Sequence, residues 1–376
     1  MDSTAARGGL PVLWALGPLS RTFMIATLAV AAIAVALEFV LHADQTLIFV
    51  AAAVAILGLA WIVGLGTERL GAVTGPRVGG ILNATFGNIA ELIIAFFALQ
   101  AGLIEVVKAS ITGSIIGNLL LVLGLSVLVG GLRNGTQTFS RQIAGANAAL
   151  LVVAAIGLFV PAVFALTSTD AGRGTITEES VLVALALMLG YVLSLVYQFT
   201  NPDQTLGGHE AAGEHGGPPW SARTAVFVLL AAACLLALLS EILVGAIVPF
   251  TEEFGLSPFF VGVVLIPTIG NLAEHLVAVQ LAFKNKMEFA MAVCYGSSLQ
   301  VHLFVAPILV LTGLVIGQPM DLVFEPLEVA AVGAAVGISA LIALDGESNW
   351  LEGALLMLVY AILAISFFEF VGPLGE

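Results

Sequence analysis

The sequence predicts an all-α, polytopic membrane protein of 11 transmembrane helices, built as one N-terminal helix followed by an inverted 5+5 repeat. Three observations predict it: the composition, the spacing of the apolar runs, and an internal repeat without gaps. Of 376 residues, 60% are apolar and 10% charged, and the mean hydropathy is +1.11. A soluble domain carries about 25% charged residues, so a water-soluble globular protein is excluded, and so is a disordered chain, which needs low hydrophobicity. A lipid-facing barrel would show short alternating segments, whereas the apolar residues here form unbroken runs.

A spanning helix needs about 20 mostly apolar residues. Eleven runs meet that requirement, near 23–41, 46–65, 78–101, 109–131, 142–165, 179–199, 222–249, 257–283, 289–316, 325–344 and 350–371. The short loops between them hold most of the Gly, Pro and charge. The first run has arginines upstream, but ten spans follow it and its apolar core is longer than that of a signal peptide, so it reads as a retained helix. The division expected is a cytosolic N-terminus (1–22), an extra first helix (23–41), a first five-helix repeat (46–199), a polar cytosolic linker (200–221) and a second repeat (222–376).

Orientation follows from Lys and Arg placement. With the N-terminus inside, the cytosolic side carries Arg7, Arg21, Arg69, Arg77, Arg133, Arg141, Arg223, Lys284 and Lys286, against Lys108 and Arg173 on the other. The N-terminus is expected in the cytosol and the C-terminus outside. The net charge of −14 argues against a nucleic-acid partner. Cys234 and Cys294 lie inside apolar runs and read as small buried residues, with no disulfide or metal spacing.

The repeat is the strongest signal. Thr85-Phe-Gly-Asn-Ile-Ala-Glu91 aligns with Thr268-Ile-Gly-Asn-Leu-Ala-Glu274, identical at five of seven positions with an offset of 183. The same offset pairs Ala95 with Ala278, Ala109 with Ala292, and Gly113-Ser114 with Gly296-Ser297. The copies occupy the third and fourth spans and the eighth and ninth. An odd displacement of five spans makes them cross the membrane in opposite senses. Inverted repeats of this kind belong to secondary transporters, with the ion site at the repeat interface near the midplane.

Glu91 and Glu274 lie deep in apolar runs, where an ionisable residue is expensive and functional by default. Asn88 and Asn271 precede them by three residues and share their helical faces. Together they offer hard oxygen ligands of the kind Ca²⁺ prefers. Gly79, Gly80 and Gly87 weaken the third helix and Gly270 the eighth, and Pro267 deprives the Val263 carbonyl of its helical donor. Broken helices are tolerated at membrane depth where freed carbonyls line a cavity or coordinate a cation. Ser114, Ser297 and Gln300 add further oxygens, although Asn, Ser and Gln also serve as interhelical hydrogen-bonding residues. Two facing carboxylates in low dielectric cannot both stay ionised without a counter-charge. Either a dication or protons must neutralise them, which is the elementary requirement for exchange.

Asn83-Ala-Thr-Phe-Gly-Asn-Ile-Ala-Glu-Leu-Ile-Ile94 and Gly270-Asn-Leu-Ala-Glu-His275 resemble the two signature repeats of the cation/proton exchanger (CAX) family of Ca²⁺/H⁺ antiporters. So do Gly113-Ser114 with Asn118-Leu-Leu-Leu-Val-Leu-Gly124, and Gly296-Ser-Ser-Leu-Gln300 with Phe304-Val-Ala-Pro307. The resemblance covers nearly the whole chain. It implies that Glu91 and Glu274 carry the ion and the protons, and that Asn88, Asn271, Ser114, Ser297, Gln300 and His275 sit at or beside the site. Sodium/calcium exchangers share the plan but resemble Gly-Thr-Ser…Pro-Glu in their repeats. Neither Ala90 nor Ala273 is proline here, which favours protons over sodium. The acidic helix that many family members carry between the halves is not matched: residues 200–221 hold only Asp203, Glu210 and Glu214, with His209 and His215.

Among lesser candidates, His275 reads either as a proton relay or as an interhelical hydrogen-bonding residue, and His302 as structural. Glu241 reads either as lining an access path or as reaching the interface. An intramembrane enzyme would need HExxH or GxSxG, and neither occurs. A channel would favour symmetric rings of filter groups. The function expected is antiport of Ca²⁺, or of another divalent cation, against H⁺ with no cofactor beyond the transported ions, with Na⁺/Ca²⁺ exchange the runner-up and a cation channel the lesser alternative. A prokaryotic plasma membrane is the expected setting. Reporter fusions test the orientation: a cytosol-active reporter at residue 1 or inside 200–221 is expected to be active, and one after residue 376 inactive.

Overall fold

The computed structural model describes residues 16–75, 78–79, 82, 85–167, 173–201 and 220–369. Of the residues singled out above, Arg7, Arg77, Gly80, Asn83 and the linker's Asp203, His209, Glu210, Glu214 and His215 lie outside them. The described chain is helical throughout, save one two-residue ladder. Its helices are α1 (Pro18–Phe39), α2 (Gln45–Thr74), α3 (Ile89–Gln100), α4 (Ile104–Ile116), α5 (Leu123–Asn134), α6 (Arg141–Thr167), α7 (Arg173–Thr200), α8 (Ala222–Gly245), α9 (Ile247–Phe254), α10 (Pro258–Phe260), α11 (Ile266–Phe283), α12 (Met287–Gln300), α13 (Ala306–Ile316), α14 (Pro326–Ile342) and α15 (Trp350–Glu369). π-Helical turns over Gly117–Val122, Val261–Leu265 and Val301–Val305 join α4 to α5, α10 to α11 and α12 to α13. Among the described residues, nine helices counted through these turns are long and apolar enough to cross a membrane, and α3 and α14 are shorter apolar helices.

Helix starts follow local chemistry. Asp44 caps α2 by accepting from Thr46 and Leu47 N–H, and Ser221 caps α8 by accepting from Thr224 N–H at 3.1 Å. Pro18, Pro258 and Pro326 stand where a missing N–H costs nothing. Pro267 and Pro307 each follow a π-turn. A proline leaves its i−4 carbonyl without a helical donor and crowds it with the ring, so each π-turn stands where the helix is already loosened.

Two sequence expectations are corrected. The third run, 78–101, is not one helix: a turn at Gly87-Asn88 interrupts it, and α3 starts only at Ile89. The Gly87 flexibility read from the sequence is therefore realised as a break. The seventh run, 222–249, is divided at Ala246 into α8 and α9. A ladder pairing β1 (Gln137–Thr138) with β2 (Glu347–Ser348) was also not foreseen. Segments of two residues leave no periodicity to read.

Loop contacts fall into two sets. On one face Thr46 donates to Glu253, Lys108 Nζ to Asp321 at 2.8 Å, and Leu322 N–H to Ser180 Oγ at 3.0 Å. On the other, β1 pairs with β2, Gln137 Nε2 donates to Asn285 Oδ1 at 2.9 Å, and the Arg133 guanidinium lies 4.1 Å over the Phe283 ring. No loop in one set touches the other in these contacts, as a chain that crosses back and forth requires.

Helices meet backbone to backbone where glycine permits it. A Cβ on Gly353 would lie 2.2 Å from Leu128 N and 2.6 Å from Gly124 O, so α15 rests directly on α5. A Cβ on Gly113 would lie 2.0 Å from the Val263 carbonyl oxygen, so α4 approaches the very group that Pro267 frees. Gly353→Val is expected to lower stability in detergent by about 2–3 kcal/mol, because backbone cannot yield as a side chain can. Gly64→Ala, in α2 with nothing within 4 Å of the added methyl, should raise it by about 0.5–1 kcal/mol. Denaturant or thermal unfolding of the two variants measures both.

Candidate functional site

Breaking the third run at Gly87-Asn88 has two local effects. Asn88 becomes the residue before the first turn of α3, with φ −103° and ψ 27°. Glu91 falls in that first turn, where the backbone N–H groups lack helical acceptors. In the second copy Gly270, Asn271 and Glu274 lie within the continuous α11. The duplicated motif thus adopts two backbone conformations.

The two copies meet through their smallest residue. A Cβ on Gly270 would lie 2.9 Å from Glu91 Cγ and 3.3 Å from its Cδ, so the Glu91 side chain lies against the glycine one turn before Glu274. Glu274 follows Gly270 by one turn on the same helix. Glu91 is 5% exposed, whereas Glu274 is half-buried. Neither carboxylate oxygen of Glu91 has a hydrogen-bond partner among the described residues, nor has Asn271 Oδ1.

Around these acids the halves are tied crosswise. Ser297 Oγ donates to Asn88 Oδ1 at 3.0 Å, and Asn271 Nδ2 donates to Ser114 Oγ at 3.4 Å. The two pairs are related by the same offset of 183: each asparagine bonds to the serine of the other copy. The first pair belongs to a chain of donors running one way. His275 Nε2 donates to Asn118 Oδ1 (3.2 Å), Asn118 Nδ2 to Ser297 Oγ (2.9 Å), Ser297 to Asn88, and Asn88 Nδ2 to Gln300 Oε1. Since Asn118 Oδ1 can only accept, the ring proton of His275 is assigned to Nε2. Every link joins one half to the other.

The structure therefore brings together Glu91, Glu274, Asn88, Asn271, Ser114, Ser297, Gln300, His275 and Gly270, with Gly87 at the break. It does not bring Glu241, which is exposed on the α8 face that continues Phe227, Leu230 and Cys234; Cys234, expected to be buried, is exposed there, whereas Cys294 is buried. His302 is fully buried, with Nδ1 at 3.0 Å from the Ser298 carbonyl of its own helix, outside the network. Asn118 is the residue that repeat comparison missed, because its equivalent is Val301. The signal available was an asparagine in an apolar run, one turn beyond Ser114 on the same face.

The donor set is oxygen and amide apart from the His275 imidazole, whose Nε2 is held by Asn118, and it includes carboxylate and carbonyl oxygens without a described partner. Such a set suits a hard cation or protons.

Comparison with known proteins agrees with this chemistry. The family described as sodium/calcium exchanger protein matches residues 45–200 and 224–368. A Ca²⁺/H⁺ antiporter of Aphanothece halophytica is 43% identical over 341 residues, covering 87% of this chain and 91% of that one. The Ca²⁺/H⁺ antiporter ChaA of Bacillus subtilis is 42% identical over 331 residues, covering 87% and 93%. The solved structure of native YfkE superposes with a TM-score of 0.80 at 38% identity, over 93% of this chain and 100% of that one.

Asn118→Ala strips His275 of its acceptor and Ser297 of its donor. A buried group left unpaired costs about 1–3 kcal/mol, so stability is expected to fall by about 2–3 kcal/mol. Unfolding of the purified protein in detergent checks the figure.

Proposed function

The chain belongs to the sodium/calcium exchanger family, among the Ca²⁺/H⁺ antiporters, and we propose that it exchanges Ca²⁺ for H⁺ by alternating access, with Glu91 and Glu274 binding either the dication or protons. One observation carries this reading. Two acids from equivalent positions of the repeat approach each other, Glu91 lying against the glycine one turn before Glu274, and the more buried of them has both oxygens free of any described partner. Several kcal/mol oppose each uncompensated charge in such an interior. The doubly ionised, empty site is therefore too costly to carry across, and a return step loaded with protons removes the cost.

Asn88, Asn271, Ser114, Ser297 and Gln300 complete the cation's surroundings, with Gly87 and Gly270 permitting the approach and His275 beside it. The cation is cargo, and the scheme needs no resident cofactor and no catalysed bond change. The crosswise pairing at offset 183, and a family match that falls in two segments on either side of the linker, support an inverted 5+5 repeat preceded by α1. The alternating loop contacts support 11 crossings, with α3 and α14 as the two short ones. The Lys and Arg bias supports N-terminus in and C-terminus out, in a prokaryotic plasma membrane.

The test is Ca²⁺ uptake into proteoliposomes driven by an imposed pH gradient, with and without Na⁺. Uptake without Na⁺ is expected, and an absolute need for Na⁺ would turn the assignment to Na⁺/Ca²⁺ exchange. Glu91→Gln and Glu274→Gln should each lower the rate by at least ~100-fold, equivalent to about 2.7 kcal/mol, while the protein still inserts and folds. A near-normal rate in either variant removes that residue from the mechanism. A large conductance indifferent to pH would instead indicate a channel.

A further inference from the structure

A second buried carboxylate lies away from the central pair, on the side where α4 begins. Glu328, in the first turn of α14, is 1% exposed. Its Oε2 accepts from Glu325 N–H at 3.0 Å, closing the capping box of its own helix. Its Oε1 accepts from Thr112 Oγ1 of α4 at 2.8 Å. Capping needs only the first bond. The second is spent on another helix.

Thr112 stands one turn after Lys108 on the same face of α4. Lys108 Nζ donates to Asp321 Oδ1 and to the Val323 carbonyl, both at 2.8 Å. Two rungs thus fasten α4 to the segment 321–328. The repeat does not account for them: at offset 183, Lys108 and Thr112 correspond to Met291 and Tyr295, and Glu328 to Gly145. This charged clamp between the halves therefore has no counterpart at the symmetry-related position.

What the clamp holds in place is Ser114, two residues beyond Thr112. The Ser114–Asn271 bond is 3.4 Å long, against 3.0 Å for its counterpart Ser297–Asn88, so it lies near the outer limit of a hydrogen bond. A few tenths of an ångström of slip or rotation in α4 would break it. We propose that Glu328 is a positioning residue for ion exchange: through Thr112 it fixes the height and rotation of α4 and so keeps Ser114 on Asn271. This rests on the reading of Ser114 and Asn271 as part of the cation site.

The test compares Glu328→Ala, Glu328→Gln and Thr112→Val in two assays: pH-driven Ca²⁺ uptake, and equilibrium binding of radioactive Ca²⁺ to purified protein in detergent. Glu328→Ala and Thr112→Val should each raise KM and Kd for Ca²⁺ by roughly 10-fold, the lower end of what ligand-supporting residues contribute to metal affinity. Maximal rate should stay within about twofold. Glu328→Gln keeps the cap through its amide oxygen and still bonds Thr112 with the direction reversed, its NH2 donating to the Thr112 hydroxyl oxygen, so it should restore wild-type values. Thr112→Val leaves the capping box whole and keeps the proposal testable if Glu328→Ala does not fold. Wild-type KM in Thr112→Val would overturn the proposal, leaving Glu328 as a cap alone. A Glu328→Gln variant as impaired as Glu328→Ala would overturn it too, in favour of a role for the charge itself. Failure of the underlying exchange reading shows separately, as wild-type protein that takes up no Ca²⁺ under a pH gradient.

Discussion

An unpaired carboxylate in a dry interior is the constraint to which the rest of this molecule answers. Glu91 is buried, its oxygens have no described partner, and it lies against the glycine one turn before Glu274. Among the described residues no cationic side chain forms a salt bridge with Glu91. On the proposed exchange reading the compensating charge arrives and leaves with the cation and the protons. Lys108 is engaged elsewhere, by Asp321 and the Val323 carbonyl.

Holding two acids together against their repulsion calls for ties that cross between the halves. The asparagine–serine pairs supply them, and the donor chain from His275 to Gln300 extends them over five side chains. All of its members are neutral amides, a hydroxyl and an imidazole, so the chain sets geometry without adding charge to the chamber. The glycines act at shorter range. Gly270 lets Glu91 lie against α11, and Gly113 lets α4 reach the carbonyl freed by Pro267. Removing a Cβ at those two positions brings the helices close enough for short polar side chains to meet.

Much of this was legible in the sequence because the signals were redundant. The apolar runs marked the spans, and the repeat picked out Glu91, Glu274, Asn88, Asn271, Ser114 and Ser297, each confirming the other through the offset. The residues that escaped are those the duplication does not echo. Asn118 stands opposite Val301 and Glu328 opposite Gly145, so comparing the halves passes over both. Glu328 lies near a span end, where a carboxylate is indistinguishable from ordinary loop charge, and nothing in the chain foretells that Thr112 faces it. The break at Gly87-Asn88 was foreshadowed by the glycine, but its absence at the equivalent Gly270 was not. Identical local residues adopt different backbones there because their neighbours differ: Pro267 and a π-turn precede one copy and not the other among the described residues.

The π-turns at Gly117–Val122 and Val301–Val305 occupy matching places in the two long helices that carry Ser114 and Ser297. Each stores one residue more than a regular helix would use, and one residue is about 100° of azimuth. The stretches on either side of such a turn are consequently out of phase. The segment facing the acids and the segment packed into the rest of the bundle each keep their own correct aspect. Deleting a single residue there would straighten the rod and bring one end or the other round to the wrong neighbours.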